Sequence, residues 1–225
     1  MIVRMFAQTF VFLVGMGVLL FGAAGTLAWP GAWCFLLELG ALSVWLGLWL
    51  ARHDPALLAE RLGTIVQKQQ SRWDRFFMAS VAVVWPAWLV LIAFDAQRWR
   101  WSAVPVWANV IGALGIFVCV VATRSVFRAN SYAAPVVKLQ TVRGHKVADT
   151  GPYAHVRHPM YTATMPFFAG TPLLLGSWWG LACAPLLVVA LGYRAVLEER
   201  MLTEQLDGYA AYAARVRYRF VPGVW

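Results

Sequence analysis

With 225 residues, 61% of them hydrophobic and 13% charged, the chain has a membrane protein's composition, which excludes an ordinary water-soluble domain. The net charge of +9 is compatible with nucleic-acid binding or with membrane topogenesis, and its distribution along the chain decides between them. Cys34, Cys119 and Cys183 all lie in apolar runs without metal-ligand spacing, so they read as small buried hydrophobes; no metal site and no disulfide are expected.

Residues 5–37, 76–94, 101–123 and, apart from His158, 158–193 carry no charge. About 20 apolar residues suffice for a helix to cross a bilayer. Helices are expected at 5–28, 33–51, 76–94, 104–123, 159–176 and 178–197, punctuated by Trp29-Pro30-Gly31, Pro105 and Gly176-Ser177. The fold class is therefore all-α: a polytopic integral membrane protein with five to six transmembrane helices, the last two forming a C-terminal hairpin. Trp178 and Trp179 fall at the hairpin turn, where the membrane interface favours aromatic side chains, and Pro166 and Pro172 interrupt its first arm. Arg4 before an apolar stretch also fits a secretory signal, but the stretch is too long for one.

Placing both termini in the cytoplasm puts Arg4 and the basic residues of 52–75, 124–157 and 194–219 inside, and leaves Arg98 and Arg100 outside. That asymmetry obeys the positive-inside rule. Contact with the lipid bilayer then accounts for the basic charge without a nucleic-acid partner.

The first polar excursion, RHDPALLAERLGTIVQKQQSRWDR, spaces Leu57, Leu58, Leu62, Ile65 and Val66 as on an amphipathic helix lying on the membrane. It reads either as a connector resting on lipid or as the entrance for a lipid-like substrate. Glu38, near the outer end of the second span, reads as a residue whose head snorkels to the interface.

The second excursion runs from Arg124 to Pro159, and a loop of such length between spans usually has a task. Gln140, His145, Tyr153, Arg157, His158 and Tyr161 concentrate donors, acceptors and stacking faces there. Pro159 suits a first helical turn, so a helix starting after His158 would turn its positive end, with Arg157 and His158, toward an anion. Across the hairpin, Arg194 and Glu198 are four residues apart and share a helical face, while Glu199 points elsewhere. If the hairpin folds back, both clusters build one pocket.

GPYAHVRHPMY, followed by the Glu198-Glu199 pair and by GYAAYAARVRYRFVPGVW, resembles the isoprenylcysteine carboxyl methyltransferase family and the related phospholipid methyltransferases. The likeness covers about residues 130–225. It implies one membrane domain, 1–225, in which 1–128 supplies N-terminal spans and 129–225 binds S-adenosylmethionine at the cytoplasmic face. By that resemblance Gln140, His145, Lys146, Val147, Ala148, Tyr153, His158, Pro159, Met160, Tyr161 and Glu198 contact the cofactor. Arg194 faces the methyl acceptor, a hydrophobic small molecule or prenylated group, and Glu199 is the reserve for a base. The stretch between Gln140 and His145 is shorter than in eukaryotic members, which bears on Gln140.

A carboxylate acceptor is already ionised at neutral pH and needs only orientation, whereas an amine or thiol needs a proton removed. No unambiguous base is visible, which favours a carboxylate or thiolate. The alternatives are a phospholipid or thiol methyltransferase, an NADPH-dependent membrane reductase, and a non-catalytic lipid-binding or transport protein. Sequence does not fix the oligomeric state.

Overall fold

The computed structural model describes every residue except Ile65, Lys68 and Gln69. Among the described residues it contains eight α-helices and no strand. The helices are α1 (Ile2–Ala24), α2 (Pro30–His53), α3 (Pro55–Arg61), α4 (Arg72–Ala93), α5 (Val106–Ala129), α6 (Pro159–Leu175), α7 (Trp178–Gln205) and α8 (Tyr209–Arg215). Each expected span corresponds to one of these helices. Helices α1, α2, α5 and α7, and α4 with the π-helical turn Phe94–Arg98 that continues it, are long and apolar enough to cross a membrane. The fifth expected span, α6, has 17 residues, or about 26 Å of helix against a hydrocarbon core of about 30 Å.

Even so, α6 runs from one end of the bundle to the other, because it is locked to α5 along its length. A methyl placed on Gly112 would lie 2.6 Å from the Gly170 carbonyl oxygen, and one on Gly115 would lie 2.8 Å from that of Pro166. Small residues are what allow two backbones to approach so closely inside a membrane. Asn109 Nδ2 adds a bond to the Leu173 carbonyl at 2.7 Å. Helices α1, α2, α4 and α7 pack around this pair, bringing Leu20, Phe35, Leu89, Ile92 and Ala184 into one cluster with Ile116 and Leu175.

At the end of the bundle holding the α6–α7 turn, Gly176 adopts φ 88°, a conformation few side chains tolerate. Ser177 caps α7 through Gly180 N, while its hydroxyl and that of Ser102 both donate to the buried carboxylate of Asp95. This ties α4 to the hairpin. Arg98 and Arg100 sit at this end, together with the exposed Trp178 and Trp179. The termini and both polar excursions gather at the opposite end.

Three expectations change. Among the described residues between α2 and α4, the first excursion is helical over α3, where Asp54 caps Leu57 N at 2.9 Å. Leu57 and Leu58 are buried against Met5, Leu50 and Phe127 instead of facing lipid, Val66 is exposed, and Ile65 lies outside the described residues. An amphipathic helix over this whole stretch is thus replaced by a short helix plugged into the bundle. Cys34 is on an exposed face of α2, and the three cysteines are free. The second excursion begins only after α5 has continued to Ala129.

Candidate functional site

The hairpin brings its two polar ends together. Pro159 occupies the first turn of α6, and His158 precedes it as the N-cap residue. Tyr161, one turn in, donates its hydroxyl to Glu198 Oε2 at 2.7 Å, and His158 Nε2 lies 3.1 Å from Glu199 Oε1. The rings of His158 and Tyr161 stack with centroids 5.3 Å apart.

Behind this contact the C-terminal tail is stitched on. Arg157 N and His158 N donate to the carbonyls of Tyr218 and Arg219, each at 2.9 Å, and Thr162 Oγ1 donates to that of Phe220 at 2.7 Å. Arg157 Nε donates to Glu199 Oε1 at 2.7 Å, and its Nη1 reaches the carbonyls of Ala213, Val216 and Arg217. Arg219 takes Glu199 Oε2 at 2.9 Å. The guanidinium expected to meet an anion with the helix terminus is therefore committed to Glu199 and the tail.

A cavity of about 330 Å³ opens in front of these residues, within the range of small-molecule sites. Of the residues singled out from sequence, His145, Lys146, Val147, Ala148, Tyr153 and His158 are in its wall, as are Met160, Tyr161, Arg194 and Glu198. Three are not. Pro159 shapes the start of α6. Gln140 is buried behind the loop, donating to the Tyr132 carbonyl at 2.7 Å and accepting from Arg143. Glu199 is outside the wall, spending its carboxylate on Arg157, His158 and Arg219, which leaves its reading as a base without geometric support.

Burial, reinforced by the neighbouring Arg143 charge, lowers the His145 imidazole to about 4, so it is neutral at pH 7. Its Nδ1 lies 3.4 Å from Gln140 N, an N–H donor, which assigns the ring proton to Nε2. Burial also raises the Tyr153 phenol, and Asn130 Nδ2 donates to it at 2.8 Å.

Sequence reasoning passed over several wall residues. Tyr209 and Tyr212 from α8 line the cavity; Tyr212 donates to the Tyr153 carbonyl at 2.8 Å, whereas the Tyr209 hydroxyl is buried without a partner among the described residues. The spacing of Tyr209, Tyr212, Val216 and Phe220 reads as an amphipathic helix capping the bundle; all four are buried, but α8 ends at Arg215 and leaves Val216 and Phe220 outside it, and the spacing does not say which of them lines the cavity. Arg61 reaches the wall from α3, donating to the Ala133 carbonyl at 2.9 Å; burial lowers its guanidinium to about 10, which leaves it cationic. Asp74 of α4 was also missed. It is 0% exposed and accepts from Arg194 Nε at 3.0 Å, Gln70 Nε2 at 2.8 Å and Val137 N at 2.9 Å. Flanked by Arg72 and Arg75 ahead of the charge-free run 76–94, it reads in sequence as an ordinary charge at a span's end, so nothing there set it apart.

Fold and cavity together define a class: a polytopic helical membrane protein with a polar chamber at one end of its bundle. Within it, residues 106–208, just under half of the chain, match the model of the phospholipid methyltransferase family, bearing out the resemblance drawn from the C-terminal motifs. No curated protein matches the chain. Among solved structures, that of the eukaryotic intramembrane Ras methyltransferase ICMT (isoprenylcysteine carboxyl methyltransferase) matches over 94% of this chain and 83% of its own, at 19% identity and a TM-score of 0.46.

Proposed function

We propose that the protein is an integral-membrane methyltransferase that uses S-adenosylmethionine to methylate a carboxylate on a hydrophobic, lipid-like acceptor, with the cofactor held at the cytoplasmic end of the bundle. The observation that carries this reading is the convergence on one cavity of Glu198, His158, Tyr161 and the unpartnered Tyr209 hydroxyl. These groups suit the cofactor. Glu198 offers a carboxylate to an ammonium or to ribose hydroxyls, and the His145 Nε2–H, Lys146 and Tyr209 offer donors to a carboxylate or to adenine.

When bound, S-adenosylmethionine supplies a methyl on a positively charged sulfur, which an acceptor oxygen takes in line as the C–S electron pair returns to sulfur. The chain's task is then alignment and exclusion of water. Arg194 is placed to orient the acceptor: Asp74 and the Pro135 carbonyl fix its Nε and Nη2, while no bond engages Nη1 among the described residues. It stabilises an ionised carboxylate in place and removes no proton. Tyr212, Leu202 and Leu206 from the α7–α8 corner cover the cavity against water.

Calorimetric titration of detergent-purified protein with S-adenosylmethionine, or with its demethylated product, tests the reading. Saturable binding is expected; absence of heat at millimolar ligand refutes it. Glu198→Ala and His158→Ala should each weaken affinity by about tenfold or more, the scale of a lost charge-assisted hydrogen bond. Arg194→Ala should spare cofactor affinity and lower turnover. The match to the phospholipid methyltransferase family favours a second acceptor class, the amine of a phospholipid head. A screen with labelled cofactor separates the two.

A further inference from the structure

A second cavity, of about 690 Å³, lies beside the first, between the inner ends of α2 and α5. The two share the walls formed by Asn130, Tyr132 and Lys146–Ala148. The methyl-transfer reading leaves this chamber unused.

Two of its donors lack acceptors among the described residues. The Arg124 guanidinium carbon lies 5.1 Å from the centroid of Trp49 and 5.7 Å from that of Trp45. Trp49 in turn stacks on His53 at 4.8 Å. Both Arg124 Nε and Trp49 Nε1 are buried and have no hydrogen-bond partner among the described residues. Arginine and the indole N–H can only donate, so a second protein donor would not satisfy them. Leaving two such groups dry is costly unless an acceptor is supplied from elsewhere. Arg128 and Lys146 add positive charge to the wall. Asp54, the acid lining it, spends Oδ1 on capping α3.

The position narrows the source of that acceptor. Trp45 and Trp49 are one turn apart near the end of α2, the level at which tryptophan marks a membrane interface. Below the chamber, the exposed Phe117, Val118 and Val121 of α5 present an apolar track. Basic pockets between spans at this depth suit anionic lipid heads.

We propose that this chamber is a phosphate-headgroup site for an anionic amphiphile. Phosphate oxygens accept from Arg124 Nε and Trp49 Nε1, Arg128 and Lys146 balance the charge, and the acyl chains follow α5 into the bilayer. The shared wall sets the head beside the first cavity, yet the site does not depend on methyl transfer.

Native mass spectrometry and titration of the intact protein in detergent provide the test, using dioctanoyl phosphatidic acid, dioctanoyl phosphatidylcholine and inorganic phosphate. Saturable binding of phosphatidic acid, at least about tenfold tighter than phosphatidylcholine, is expected, with inorganic phosphate a weak competitor. Arg124→Gln should weaken phosphatidic acid about tenfold. Trp49→Phe, which keeps the ring and removes the N–H, should weaken it severalfold. Equal affinity for the two lipids, inorganic phosphate binding as tightly as the lipid, or no loss in Trp49→Phe overturns the assignment, whether or not the arginine variant folds. Binding of S-adenosylhomocysteine, read in the same variants, should stay unchanged, so failure here and failure of the methyltransferase reading are distinguishable.

Discussion

Asp74 carries more of the site than its place in the sequence suggests. Its carboxylate fixes the guanidinium of Arg194, the loop at Val137 and the chain at Gln70, all without contact with water. Breaking a buried ion pair by removing one partner typically costs about 3–5 kcal/mol, because the other charge is stranded. Asp74→Ala should therefore lower the unfolding temperature clearly, whereas Asp74→Asn, which keeps the shape, should lower it less. In Asp74→Asn, turnover should fall with affinity for S-adenosylhomocysteine kept within about threefold; unchanged turnover would refute Asp74 as the residue that positions Arg194. His145 yields a prediction in pH. Its imidazole is near 6.5 in the unfolded chain and about 4 when folded, so between those values the unfolded chain binds the extra proton. Stability of the loop should thus fall as pH drops from about 6.5 toward 4, and His145→Gln should flatten a plot of unfolding temperature against pH over that window. Much of the polar inventory was legible because His145, His158, Tyr161, Arg194 and Glu198 are conspicuous in so apolar a chain. What stayed hidden was pairing. Nothing in the spacing says that Asp74 meets Arg194 across 120 residues, or that Glu199, which the spacing does turn away from Glu198, pairs with Arg157 and the tail.

At the scale of elements, α6 is the helix least able to stand alone. It is short for a bilayer, contains Pro166 and Pro172, and depends on α5 for company. The dependence is steric as much as apolar: Gly112 and Gly170 leave no room for a methyl between the two backbones. Gly112→Val should therefore force the helices apart. Overpacking of this kind costs about 1–3 kcal/mol or more. Because α6 carries Tyr161 and starts directly after His158, cofactor affinity should decline along with the unfolding temperature. A variant of equal bulk at Gly15, where nothing lies within reach of an added methyl, should change neither. Wild-type behaviour of Gly112→Val in both assays would refute this account of how the hairpin is held. Runs of uncharged residues announced the helices, since an α-helix is what lets an apolar segment satisfy its own backbone in lipid. Periodicity read the first excursion less well. Leu57 and Leu58 have the spacing of a membrane-facing stripe, but a stripe does not state its partner, and here the partner is the bundle itself.

For the whole molecule, charge and shape tell the same story by separate routes. Arg98 and Arg100 lie at the end holding the α6–α7 turn, while the cavity, the chain termini and the two basic excursions lie at the other. The helix packing that sorts them uses apolar and small residues, so it did not have to agree with a rule about positive charge. On the proposed function, that agreement is what a cavity facing the cytoplasm requires. A fusion of green fluorescent protein to Trp225 should then fluoresce in bacterial cells, and alkaline phosphatase fused there should stay inactive. Alkaline phosphatase inserted between Arg100 and Trp101 should be active. The reverse pattern would put the cavity on the outer face, away from the cytoplasmic pool of any nucleoside cofactor. Charge alone should be able to disturb the arrangement: three lysines added beside Arg98 and Arg100, with Arg4 and Arg52 neutralised, should yield a mixed population in the same fusion assay. Chains inserted the wrong way round should lose methyl transfer in cells in proportion to their share.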